Sequence, residues 1–176
     1  MKIMYLQKES RSFHIILELL VLKILLKVGA SREMASKYLT RFYYLMNHKN
    51  LKELLSQITT IAVIGASSDP DRDSYKVSQF LIERGFQVYF VNPNENKSIF
   101  GQKFYKDLNS IKTKIDMVDV FRSSEYVYKI VEESIQLDIK IIWTQLGVID
   151  SKAKSLAERN GIKFIMNECP KLILSH

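Results

Sequence analysis

An apolar run closes at Gly65-Ala66-Ser67-Ser68, and Asp69-Pro70-Asp71-Arg72-Asp73-Ser74-Tyr75-Lys76 then leads into a segment of helical period. Small side chains let an anion approach the backbone, and a helix start offers free N–H groups and a positive dipole end, so the chemistry suggested is phosphate binding. Arg72 and Lys76 stand where their cations could reach phosphate oxygens. A second account fits the same residues: Gly65 makes a tight turn and Asp73 or Ser74 caps the helix. Only Gly65 is a glycine where the dinucleotide fingerprint G-x-G-x-x-G wants three, and the turn before the helix is longer. The next strand ends in Val91-Asn92-Pro93, without the acid that takes the ribose hydroxyls of NAD.

Three later clusters also follow apolar runs: Phe121-Arg122, Trp143-Thr144-Gln145-Leu146-Gly147-Val148, and Asn167-Glu168-Cys169-Pro170-Lys171. Gly147 would allow close backbone approach. Phe121 and Trp143 also fit simple packing, and Arg122 an ion pair. Cys169 reads either as a reactive thiol or as a small buried apolar residue. The histidines, His14, His48 and His176, fall outside the expected core, so no nucleophile-base-acid set and no metal-ligand spacing is expected.

Residues at these places need a frame that brings strand ends together. From Leu51 onward, strand-length apolar runs alternate with helical periods, the pattern of a parallel sheet with helices on both faces. Strands are predicted at 61–64, 87–91, 116–121, 140–143 and 162–166, with a short additional one at 103–105 and a turn near Leu108. Helices are predicted at 74–84, 124–137 and 151–160. The expected fold is therefore α/β, a Rossmann-like doubly wound, mostly parallel sheet of five or six strands, carrying an N-terminal helical extension. In such sheets ligands sit outside the carboxyl ends of the strands, where every cluster above falls.

Two regions are expected, residues 1–50 and 51–176. The formal charge of +7 is uneven: residues 1–50 hold 9 Lys/Arg against 3 Asp/Glu, whereas residues 51–176 hold 17 against 16. A nearly neutral second region argues against nucleic acid as its partner. The apolar run His14–Leu26 is too short for a bilayer span, and the charges of Glu18 and Lys23 within it argue against a secretory signal. It fits a helix against a membrane surface, a partner or its own domain; a translation start at Met46 is a further alternative. One cysteine rules out an internal disulfide and suits the cytoplasm.

The motifs IAVIGASSDPDRDSYKV (61–77), VNPN (91–94), VDVFR (118–122), WTQLGV (143–148) and CPK (169–171) occur in the order found in a known family. In them the chain resembles the small CoA-binding domain proteins related to the CoA-binding domain of the succinyl-CoA synthetase alpha subunit, over about residues 51–171. The resemblance implies coenzyme A or an acyl-CoA as the small-molecule ligand. It places the pyrophosphate at Gly65, Ala66 and Ser67, with Arg72, Ser74 and Lys76 on phosphates and Val91, Asn92 and Pro93 by the adenine or ribose. Phe121, Arg122, Gln145 and Gly147 would line the groove across the switch point. The ligase keeps its phosphorylated histidine in a further domain that this chain lacks, so a non-catalytic CoA-binding protein is expected. The alternatives are an NAD(P)- or nucleotide-binding module, or an enzyme of CoA or thiol chemistry using Cys169.

Overall fold

The computed structural model describes residues 31–175 together with Lys23 and Lys27. The run His14–Leu26 considered above lies, apart from Lys23, outside these residues. The chain divides into two units between Leu51 and Lys52. Helix α1, Arg32–Ser56, crosses that division. No described helix is long and apolar enough to cross a membrane.

The second unit is built on five parallel strands: β1 (Thr60–Ile64), β2 (Gln87–Val91), β5 (Met117–Val120), β6 (Ile141–Thr144) and β7 (Lys163–Ile165), in the order β2-β1-β5-β6-β7. β1 is buried throughout, as a central parallel strand must be. Along β5 the side chains alternate. Val118 and Val120 join a core with α3 (Val127–Gln136) and α4 (Ser151–Arg159), while Met117 and Asp119 face the other way. That other face is covered by α2 (Asp73–Glu83) and α5 (Pro170–Ser175). The sheet is the expected Rossmann-like one, with five strands. β2 pairs on one side of β1 and β5 on the other, so the topological switch point lies between β1 and β5.

The predicted strand at 103–105 meets this sheet only at its last residue and adds no sixth strand to it. Ser98–Ile99 (β3) and Gln102–Lys103 (β4) instead form an antiparallel hairpin, and Tyr105 alone makes a parallel bridge to Val91. The hairpin turn is Phe100-Gly101, both at positive φ (49° and 75°), as in a type I′ two-residue loop. A phenylalanine is strained there, and its ring packs 4.8 Å from that of Tyr75. The predicted helix at 124–137 opens with a 3-10 turn, Ser124–Tyr126, before α3, and the turn near Leu108 is a 3-10 helix, Leu108–Ser110. Helix α5 has no counterpart in the sequence reading.

At the amino edge of the sheet, Asp116 Oδ2 accepts from the N–H groups of Thr59 (2.9 Å) and Thr60 (3.0 Å), and the Thr60 hydroxyl stands 2.9 Å away. Burial opposes its ionisation, but these donors outweigh it and hold the carboxyl below its usual range. A depressed folded pKa means that this stabilisation is present above the unfolded value near ~3.9 and is lost as pH falls through the folded one. Asp116→Ala should cost about 2 kcal/mol, from the N–H groups of Thr59 and Thr60 losing a charged acceptor. Urea unfolding at neutral pH and at pH 3 checks this: the gap between wild type and variant should narrow in acid.

Candidate functional site

The switch point is crowded around Gly65. Its N–H donates to Val91 O (2.9 Å), the Phe121 N–H donates to Ile64 O (2.8 Å), and the Asn92 amide donates to Ala66 O (2.8 Å). Gly65 has φ +82°, and a Cβ built there would stand 2.5 Å from the Phe121 carbonyl oxygen and 2.8 Å from Arg122 Cδ. Glycine is required here for both reasons. The turn after β1 thus lies directly against the backbone leaving β5.

Beyond the turn, α2 begins at Asp73 with Arg72 in the cap position, and no side chain caps it. Neither Asp73 nor Ser74 plays the capping role that the sequence allowed. With no side-chain cap, backbone donors at this helix start stay free, although the Asp73 carboxylate in the first turn offsets part of the positive dipole end. Ser74 is buried within the helix's inner face, whereas Arg72 is exposed, with Nε 3.8 Å from Asp69 Oδ2. Lys76 Nζ donates to Asp71 O at 2.8 Å.

One residue that sequence reasoning missed sits on the turn itself. Glu95 Oε1 accepts from the Ser68 N–H (2.8 Å) and stands 3.3 Å from Ser67 Oγ. The backbone N–H of Ser68 is the main cause holding this carboxyl below its ordinary pKa. An own-chain carboxylate therefore occupies donors that an anionic ligand would seek. The only signal was position, four residues beyond the end of β2.

Two cavities open along the carboxyl edge, and Arg122 lines both. The first, of about 340 Å³, lies between Gly65, Val91, Asn92 and Pro93 on one side and Tyr126 and Lys129 on the other, with Lys106 and Asp107 at hand. The Arg122 guanidinium stands 4.9 Å over the Tyr126 ring. Nothing in their spacing singled out Lys106 or Lys129. The second cavity, of about 560 Å³, is lined by Lys76, Phe121, Gln145, Gly147, Cys169 and Lys171 among others. Val77, Gln145 and Cys169 are buried and form its floor, while Lys76 and Gly147 are exposed at its rim. Burial pushes the Cys169 thiol up from its usual pKa, the direction of an unreactive thiol. Gly147 has open space where a Cβ would be, but its N–H already donates to Asn167 Oδ1 (2.7 Å).

Of the residues singled out from sequence, Gly65, Val91, Asn92, Pro93 and Arg122 border the first cavity, and Lys76, Phe121, Arg122, Gln145 and Gly147 the second. Ala66 is buried beneath the turn; Ser67, Arg72 and Ser74 line neither cavity. Trp143 is fully buried, with its indole N–H donating to Glu168 O at 2.7 Å, and serves packing.

Residues 59–175 match the family model described as CoA binding domain. YneT of Bacillus subtilis (strain 168) is 34% identical over 122 residues, covering 69% of this chain and 90% of that protein. The alpha subunit of acetate–CoA ligase (ADP-forming) I of Pyrococcus furiosus is 33% identical over 95 residues, 51% of this chain and 21% of the subunit. Among solved structures, a hypothetical protein of Pyrococcus horikoshii OT3 superposes with a TM-score of 0.69 at 30% identity, covering 73% of this chain and 89% of that one. Cell-free ID.343 from Thermus thermophilus gives 0.69 at 29% identity, over 73% and 96%.

Proposed function

Since this chain belongs to the CoA-binding domain family, we propose that it binds coenzyme A along the carboxyl edge of the sheet, as a binding module that does not itself turn the ligand over. The observation that carries this reading is the position of Arg122, a cation against the Gly65 turn that forms a wall of two separate cavities. A ligand with charge at its middle and a distinct group at each end suits that arrangement, and CoA is such a molecule. Its pyrophosphate would lie at Gly65–Ser67, the start of α2 and Arg122, within reach of Arg72 and Lys76. The first cavity, with Lys106 and Lys129 besides Arg122, suits the adenosine end with its additional 3′-phosphate; Val91, Asn92 and Pro93 would border the ring and sugar. The second, whose floor carries no formal charge, suits the uncharged pantetheine arm, past Phe121 and Gln145. The cytoplasm is the compartment that suits a chain whose single cysteine is an unpaired thiol.

Isothermal titration of the purified chain with CoA, dephospho-CoA, acetyl-CoA, NAD and ATP tests this. CoA should bind, and dephospho-CoA should bind less tightly because the lysines of the first cavity lose their phosphate. No heat from CoA or acetyl-CoA would remove the proposal. A second reading, NAD binding, is favoured by Glu95, since a carboxylate just beyond β2 is where dinucleotide folds hold an acid for the ribose.

Glu95→Gln separates the two. If the ligand's phosphate must displace this carboxylate from the Ser68 N–H, the variant should bind CoA roughly fivefold more tightly. If Glu95 holds a ribose instead, the variant should lose NAD affinity. The same titration reads both.

A further inference from the structure

Asp119 lies in mid-sheet on β5, paired with Val63 of β1 and Trp143 of β6, and is fully buried. Its Oδ1 accepts from Gln145 Nε2 at 2.7 Å, and its Oδ2 has no partner. An unpaired carboxylate oxygen in the interior is costly, and burial pushes this carboxyl up to about 7 despite the Gln145 bond. The side chain points to the face covered by α2 and α5. From α2 the buried polar group is Ser78, whose Oγ also has no partner; just before α5 stands Cys169, whose pKa the Asp119 charge helps to raise. The flanking strands present Val63 and Trp143.

Gln145 connects this carboxyl to the second cavity, which it lines. With Nε2 committed to an ionised Asp119, its Oε1 remains for the cavity and offers an acceptor. When Asp119 is protonated, its hydroxyl can donate to Oε1, and an amide turned by half a rotation offers the cavity Nε2–H donors. One pair of residues can thus present opposite hydrogen-bonding character to the same space.

We propose that Asp119 is a positioning residue that sets which end of the Gln145 amide faces the second cavity, and that the floor thereby discriminates between the free thiol of CoA and the carbonyl of an acyl-CoA. This rests on the CoA reading above. An acceptor suits the S–H of free CoA; donors suit a thioester oxygen. Acid therefore shifts preference toward acyl-CoA, and base toward CoA.

The test is the ratio of CoA to acetyl-CoA dissociation constants at pH 6 and pH 8, on either side of about 7. Phosphate ionisation is common to the two ligands and cancels in the ratio. Wild type should favour acetyl-CoA about fivefold more at pH 6 than at pH 8, the effect of one hydrogen bond gained or lost. Asp119→Asn should make the ratio independent of pH; should that variant not fold, Gln145→Met serves the same end. In the ligand-free wild type, the Gln145 side-chain amide signals in NMR should shift through one transition between pH 5.5 and 8.5. A ratio equal at the two pH values, or one still pH-dependent in the variants, overturns the inference while CoA binding stands. If neither ligand binds, the CoA reading fails and the proposed discrimination with it; a flat NMR titration overturns the Asp119 coupling by itself.

Discussion

Gly65→Ala is expected to destabilise the second unit by about 3 kcal/mol or more and to abolish measurable CoA binding. Two costs combine. An L-residue at a left-handed φ costs roughly 1–2 kcal/mol, and forcing a methyl into filled space adds about 1–3. The methyl would meet a carbonyl oxygen at 2.5 Å, so the collision is with backbone and cannot be relieved by a rotamer change. Relief would move Phe121–Arg122 away from β1 and lengthen the Phe121 N–H bond to Ile64 that closes the strand pair. The midpoint of thermal unfolding should fall by on the order of 10 °C. Gly147→Ala is the control, since φ is +79° there but a Cβ has no neighbour within 4 Å. It should cost only ~1–2 kcal/mol. Equal losses in the two variants would mean that close approach at Gly65 contributes nothing.

Arg122→Ala should weaken CoA binding by roughly 10- to 100-fold, the effect of losing a charge-assisted hydrogen bond. The fold should lose little, because Arg122 is only half-buried and its contact with the Tyr126 ring is a modest term. Arg122→Lys keeps the charge without the planar fork and should fall between. Titration at low and moderate salt should show the wild-type advantage shrinking as salt rises. Affinity unchanged in Arg122→Ala would remove this residue from the proposed site.

The frame of the molecule was legible because its strands are continuous apolar runs: β1, β2, β5, β6 and β7 fall within a few residues of the runs read from sequence. The β3–β4 hairpin was not, because its turn places a phenylalanine where asparagine or glycine would have signalled one. At the candidate site, the strand-end rule named Gly65, Asn92, Arg122, Gln145 and Gly147, all of which line one or both cavities. Their sorting into two cavities depends on side-chain directions that no spacing encodes. Glu95 was hidden for a similar reason: it belongs to the loop after β2, yet its carboxylate reaches back to Ser68. Asp119 read as one more strand residue, since only its burial between β1 and β6 makes it unusual.

The shared wall at Arg122 has a thermodynamic corollary. On the proposed reading, the two ends of the ligand compete for or cooperate through one guanidinium, so the halves of the groove are not independent binding sites. An adenosine bisphosphate fragment in the first cavity would alter the affinity of a phosphopantetheine fragment in the second, and the second would alter the first by the same factor, as reciprocity of binding free energies demands. On that reading a whole ligand and its two separate fragments would differ in affinity by the coupling through this one cation.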